Sequence, residues 1–149
     1  DWFPNIAFQI FSGIDESVFQ HMKIGFYSYI IYMLIEFLVF RKKINNNTRF
    51  FFSRIFSAVF YPWVMFMIFF FTRVIYPGEM YFIFEIISAQ ICTYISVLIL
   101  GFIELDLIKL DYSRRLKVLL LILIILLIIE FTAFSFYLPW HDVLKDPYV

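Results

Sequence analysis

The stretch from Leu116 to Leu138 constrains the fold of this chain most, because it reads LKVLLLILIILLIIEFTAFSFYL and carries a single carboxylate, Glu130. A helix of about 20 apolar residues is long enough to cross the hydrocarbon core of a bilayer. A helix in a soluble protein would show a polar stripe, and this stretch has none. The stretch therefore predicts a membrane protein, and a carboxylate within the membrane is costly enough to mark Glu130 as a candidate functional residue.

The composition agrees with a membrane protein and excludes several other classes. Of the 149 residues, 63% are hydrophobic and 23% aromatic, and only 16% are charged, whereas a soluble domain is about one-quarter charged. The formal net charge of zero argues against nucleic acid as a partner. Since Cys92 is the one cysteine, neither an internal disulfide nor a CxxC metal motif is possible, and we expect Cys92 to be a buried packing residue.

Three further apolar segments precede the segment 116–138. The spans are predicted at about 24–40, 51–72, 80–103 and 116–138. They predict an all-α integral membrane bundle of four helices, with residues 1–149 forming a single transmembrane domain.

Three further expectations concern the second and third spans. Arg54 lies about one turn into the second span, and we expect it to snorkel back to the interface. The third span should end at Ile103, before a charged loop over 104–115. Small residues recur in that span at spacings that allow neighbouring helices to approach closely: Ser88, Ala89, Cys92, Thr93 and Ser96.

The distribution of lysine and arginine predicts the orientation. With four spans, the basic segments 41–49 and 109–117 lie on one side of the membrane and contain eight lysines and arginines: Arg41, Lys42, Lys43, Arg49, Lys109, Arg114, Arg115 and Lys117. The positive-inside rule places that side in the cytoplasm. Residues 1–20 and the C-terminus are then extracytoplasmic, and we expect the protein to be integral to the plasma membrane.

Polar residues gather toward the predicted outer face. The candidate catalytic residues are Glu16, His21, Lys23, Glu85 and Glu130. The candidate metal ligands are His21, His141 and Asp146. Histidines with carboxylates can bind a divalent metal such as zinc and leave a coordination position open. Each candidate also has a structural explanation. Histidine is common at a water interface, and Glu85 and Glu130 could each be a protonated or paired structural group.

Two segments carry a family resemblance. Residues 15–23 read DESVFQHMK, and residues 134–139 read FSFYLP before Asp146-Pro147. They resemble the N-E-S-x-W-E-H-x-K and F-T-F-Y-P-P … D-P motifs of a family of small uncharacterised bacterial polytopic membrane proteins, a domain of unknown function. The resemblance implies a further helix before Asp1, about five in all, and no particular activity. Gln20 stands where the family motif has a glutamate, which weakens a metal site there.

Several functions stay open at this point. The first is an outer-face His/carboxylate site for a metal, a lipid headgroup or a small molecule, with enzymatic activity undecided. The second is an accessory or structural subunit, which would bind another membrane protein or a second copy of itself in addition to the lipid bilayer. The third is a proton or ion pathway through Glu36, Glu85 and Glu130, which lie at different depths. The fourth is a b-type haem between His21 and His141.

Overall fold

The computed structural model of the protein describes residues 18–75 and 82–136, and these residues form four α-helices. The helices are α1 (Val18–Phe40), α2 (Asn47–Ile75), α3 (Phe82–Leu107) and α4 (Arg114–Ala133). Each is long and apolar enough to cross a membrane. The prediction of an all-α bundle with four membrane-length helices is therefore confirmed.

The helix ends at the basic side of the bundle have local causes. The Asn46 side chain accepts a hydrogen bond from the Arg49 backbone N–H at 3.1 Å, and the Ser113 hydroxyl accepts one from Leu116 N–H at 3.3 Å. Such caps satisfy amides that have no partner within the helix. The loop between α3 and α4 begins later than predicted, because α3 runs past Ile103 to Leu107. The prediction that Glu104 belongs to the loop is therefore wrong, since it lies in the last helical turn.

Helix α2 is central and packs against each of the other three helices. Its buried side chains include Ala58, Val59 and Met65. Facing them, α3 buries small residues, among them Cys92, whose sulfur lies 3.8 Å from the Thr72 hydroxyl of α2. Small side chains allow two backbones to approach closely without help from the hydrophobic effect, which is absent within lipid. The predicted packing role of Cys92 is confirmed.

Aromatic rings join α1 to α4. The ring of Phe131 lies 5.2 Å from that of Phe19 and 5.1 Å from that of Phe26. Phe19 also meets Phe134 edge-on at 5.4 Å. The two segments that carry the family resemblance thus touch each other in the structure.

The outward faces of the bundle are apolar. Of the α4 side chains only Leu120, Leu127 and Phe131 are buried, although the helix is aliphatic on every side. Exposed apolar surface of this extent suits a hydrocarbon environment, because lipid chains cover it and the helices satisfy their own backbone groups. The chain thus has the build of an integral membrane protein.

Candidate functional site

A cleft lies between α1 and α3, with α2 behind it. Its volume is about 740 Å³, within the range of small-molecule sites. The polar side chains that line it are His21, Ser28, Tyr29, Tyr32, Arg54, Tyr61, Gln90, Thr93 and Glu104. Polar groups inside an apolar bundle are costly, so their concentration along one cleft marks it as the candidate site.

Arg54 of α2 holds together an ion cluster at the basic end of this cleft. Its Nη2 lies 2.6 Å from Oε1 of Glu36 in α1, and its Nη1 pairs with Oε2 of Glu104 in α3. The Tyr29 hydroxyl donates to the other oxygen of Glu104. Only 14% of the Arg54 side chain is exposed. The prediction that Arg54 snorkels to the interface is therefore wrong, because its guanidinium is paired inside the bundle.

The cluster is unbalanced in charge and in hydrogen bonding. Two carboxylates surround one guanidinium, which leaves a formal charge of about −1. Glu36 Oε2 and Arg54 Nε are buried with no hydrogen-bond partner among the residues that the structure describes. Because buried polar atoms in proteins are nearly always paired, these two atoms indicate a place for water or for a polar ligand atom.

Two glycines shape the wall of the cleft in opposite ways. A Cβ atom on Gly25 would lie 2.6 Å from Cζ of Tyr61 and closer still to other atoms of that ring. The absence of a side chain at Gly25 therefore allows Tyr61 to pack against α1, while the Tyr61 hydroxyl faces Thr93 of α3. A Cβ atom on Gly101 would meet nothing within 4 Å, so the cleft has free room there.

Two of the residues predicted at the outer face point to different sides of α1. His21 lines the cleft, whereas Lys23 is fully buried and its Nζ donates to the Ser135 hydroxyl at 3.1 Å. Their places follow from the helical repeat, since residues two apart project about 200° from each other. The structure therefore does not bring His21 and Lys23 together.

Glu130 lies elsewhere again. It lines a separate cavity of about 160 Å³ together with Pro62, Trp63 and Leu127. The Glu85 side chain and residue Glu16, which were also predicted at the site, lie outside the described part of the chain.

The predicted metal and haem ligands are only partly covered. His141 and Asp146 lie outside the described residues, so His21 is the one predicted ligand whose position the structure describes. Within 18–75 and 82–136, no three His, Cys, Asp or Glu side chains are grouped so that they could hold a metal ion. The zinc and haem hypotheses stay predictions.

Of the predicted site residues, His21 is the one that lines the cleft among the residues the structure describes. Tyr29, Arg54, Tyr61 and Glu104, which form the polar part of its wall, were not predicted. A signal for the ion cluster was present in the sequence. Glu36 lies about 6 Å before the end of α1 and Arg54 about 10 Å after the start of α2, at 1.5 Å per residue. A short linker joins those two ends, so opposite charges at similar depth could have been paired by inspection.

Comparison with curated proteins and with solved structures gives no match. One family model, described as a family of unknown function (DUF6512), matches residues 4–148, which is nearly the whole chain. This agrees with the predicted membership of a family to which no activity is assigned. The chain therefore belongs to the DUF6512 family of unknown function.

Proposed function

We propose that this integral membrane protein binds an amphipathic small molecule or a lipid in the cleft between α1 and α3. One observation carries the proposal: a cavity of about 740 Å³ combines an apolar wall with a largely buried ion cluster at one end. Ligand sites are usually concave and mostly apolar, with a few polar groups that fix the orientation of the ligand. The cleft has both parts.

The apolar wall and its opening support entry from the bilayer. Ile24, Val97 and Leu105 line the cleft beside the polar groups. Ser28 and Gly101, which also line it, are exposed at the outside of the bundle. A cleft that opens sideways in a membrane helix pair meets lipid chains, so an apolar tail could remain in the bilayer while a polar head reaches Arg54.

We further propose that the basic end of the bundle faces the cytoplasm and that residues 1–149 form one domain of a plasma-membrane protein. The eight lysines and arginines of segments 41–49 and 109–117 support this orientation. The ion cluster then lies toward the cytoplasmic side of the cleft, and His21 lies toward the outer side. In this arrangement His21 lines the outer part of the cleft.

An accessory role has weaker support. It would depend on the exposed apolar faces of α3 and α4, and lipid chains cover such faces as well as a protein partner does. A relay through Glu36, Glu85 and Glu130 is also less well supported, since Glu36 is paired with Arg54 and Glu130 lines a different cavity. Ligand binding in the cleft is therefore better supported than either alternative.

A cleft-filling variant tests the proposal. Gly101→Phe places a ring in the free space, whereas Leu98→Phe adds a ring to an exposed position of α3 that does not line the cleft. We expect native mass spectrometry of the full chain, released from membranes in mild detergent, to show a bound mass in the wild type and in Leu98→Phe. Gly101→Phe should lower its occupancy about tenfold, equivalent to about 1.4 kcal/mol of binding free energy.

Two results would contradict the proposal. One is a wild-type chain that carries no bound mass. The other is equal occupancy in Gly101→Phe and in the wild type, which would place any bound molecule outside the cleft.

A further inference from the structure

We infer that the cleft selects a cation, namely an amphipathic molecule whose ammonium or similar organic cation lies beside Glu104 and the tyrosine rings. The inference rests on the proposed function and names the charge of the ligand. A lipid headgroup that carries an ammonium group and a free hydrophobic cation share this chemistry.

The first support is the charge at the inner end of the cleft. Glu36, Arg54 and Glu104 are the charged side chains of the cluster, and their formal charges sum to about −1. Both terminal nitrogens of Arg54 are already engaged by carboxylates. An anionic ligand would therefore add to an excess of negative charge, whereas a cation would neutralise it. Low polarity around the cluster strengthens this preference.

The second support is the aromatic wall next to Glu104. The rings of Tyr29 and Tyr61 are stacked with centroids 6.1 Å apart, and Tyr32 lies 6.4 Å from Tyr29. All three line the cleft. The faces of such rings attract cations, and quaternary ammonium groups are recognised in this way. A large organic cation gains from these contacts and loses little hydration, which suits a cleft that opens toward lipid.

The third support separates this ligand from a metal ion. A divalent cation requires several oxygen or nitrogen ligands at short range, and the described residues offer no group of three His, Cys, Asp or Glu side chains. An ion cluster with a net charge of about −1, at the end of a cleft lined by three tyrosines, fits a singly charged organic cation better.

The test compares two probes of similar size and opposite charge, tetraphenylphosphonium and tetraphenylborate. The full chain is placed in nanodiscs of neutral lipid, and binding is measured by equilibrium dialysis against empty nanodiscs. We expect the wild type to bind the phosphonium at least about tenfold more tightly than the borate. Glu104→Gln should abolish most of that preference because it removes the excess charge.

Asp106→Asn is the matched control. Asp106 lies in the same final turn of α3, but its side chain is 85% exposed and paired with Lys109. Its loss should leave both affinities within about twofold of the wild type. If Glu104→Gln does not fold, as judged by its melting temperature, Glu36→Gln removes the same charge and takes its place.

The outcomes distinguish this inference from the proposed function. If the two probes bind equally and Gly101→Phe abolishes both, the cleft binds ligands without selecting cations, and the inference is wrong. If neither probe binds, or if Gly101→Phe changes neither affinity, the proposed function fails as well. When the phosphonium does bind, competition identifies the source: displacement by phosphatidylcholine indicates a lipid headgroup, and displacement by tetrabutylammonium alone indicates a free cation.

Discussion

The guanidinium of Arg54 lies 2.6 Å from the carboxylate of Glu36, so an ion pair joins α1 to α2 within the membrane-length part of both helices. Glu104 brings α3 into the same cluster. One side chain of the central helix thus ties together three of the four described helices. Because charges within a membrane are costly unless paired, the cluster fixes which faces of these apolar helices meet.

Removal of Arg54 should destabilise the protein strongly. Arg54→Gln leaves the buried carboxylate of Glu104 and the partly buried one of Glu36 without their cation. Breaking a buried pair in this way costs about 3–5 kcal/mol. We expect a lower melting temperature in nanodiscs. A triple variant that also carries Glu36→Gln and Glu104→Gln should recover much of the lost stability, because no unpaired charge remains.

Arg49→Gln provides the matched control for Arg54. Arg49 pairs with Asp111 at 2.5 Å, but the Asp111 side chain is 87% exposed. Its loss should cost less than about 1 kcal/mol. Equal effects of the Arg49 and Arg54 substitutions would show that the cluster contributes no more than a surface pair.

The two cleft glycines should respond differently to alanine. Gly25→Ala places a Cβ atom against the Tyr61 ring, and overpacking of this kind costs about 1–3 kcal/mol. Gly101→Ala meets open space and should be neutral or stabilising by up to about 1 kcal/mol through helix propensity. Thermal unfolding of both variants measures the difference.

A double-mutant cycle identifies the cause at Gly25. In a Tyr61→Ala background the contact is gone, so Gly25→Ala should lose most of its cost. If the cost persists in that background, the contact with Tyr61 is not what requires a glycine.

Tyr112, in the loop between α3 and α4, should make stability fall in alkali. Its hydroxyl donates to the Leu107 carbonyl at 3.1 Å, and burial raises the pKa of Tyr112 above its ordinary value near 10. Because the fold favours the neutral phenol, this contribution is complete below about pH 10 and is lost as the pH rises through the raised pKa.

Tyr112→Phe separates this residue from the other tyrosines. The variant should be less stable than the wild type by about 1 kcal/mol at neutral pH, since it lacks the hydrogen bond. The melting temperatures of the wild type and of Tyr112→Phe should then converge as the pH rises from about 8 to about 11.5. Parallel curves over that range would assign the alkaline loss to other groups.

The membrane fold could be predicted from the sequence because four apolar segments are long enough to span a bilayer and polar breaks separate them. The segment 116–138 was the clearest of these, although α4 ends at Ala133. A lipid bilayer requires that every backbone polar group be paired within the protein, which favours helices, and the hydropathy of the sequence shows which segments lie in the bilayer.

The cleft could not be predicted in the same way. Its position depends on how each helix is rotated about its own axis, and helices that are apolar on every side carry no polar stripe to show which face is buried. Glu104 is an example. Whether it lies in a loop or in the buried final turn of α3 depends on where α3 ends, and the sequence has no capping residue that marks this end. Arg54 was predicted at the interface since a long side chain near a helix end can reach water, but the two glutamates offered closer partners.

Lys23 shows an intermediate case. The 3.6-residue repeat of a helix places Gln20 and Lys23 on one face and His21 on another. The structure confirms this, with Gln20 and Lys23 both buried and His21 at the cleft. What could not be predicted was the residue opposite, Ser135, because contacts between helices distant in sequence follow from packing rather than from local periodicity.

Cysteine labelling shows directly whether a polar cleft between α1 and α3 receives a ligand inside the membrane. In the full chain with Cys92→Ala, single cysteines replace Ser28 and Thr93, which line the cleft, and Leu98, which does not. Thiols react as thiolates and need a polar surrounding to do so.

A water-soluble maleimide should label Ser28→Cys and Thr93→Cys in intact membranes, and tetraphenylphosphonium should protect both. Leu98→Cys should stay unlabelled with or without the probe. The contradicting result is that the cleft cysteines are as unreactive as Leu98→Cys, because the cleft would then be closed to water and to ligands.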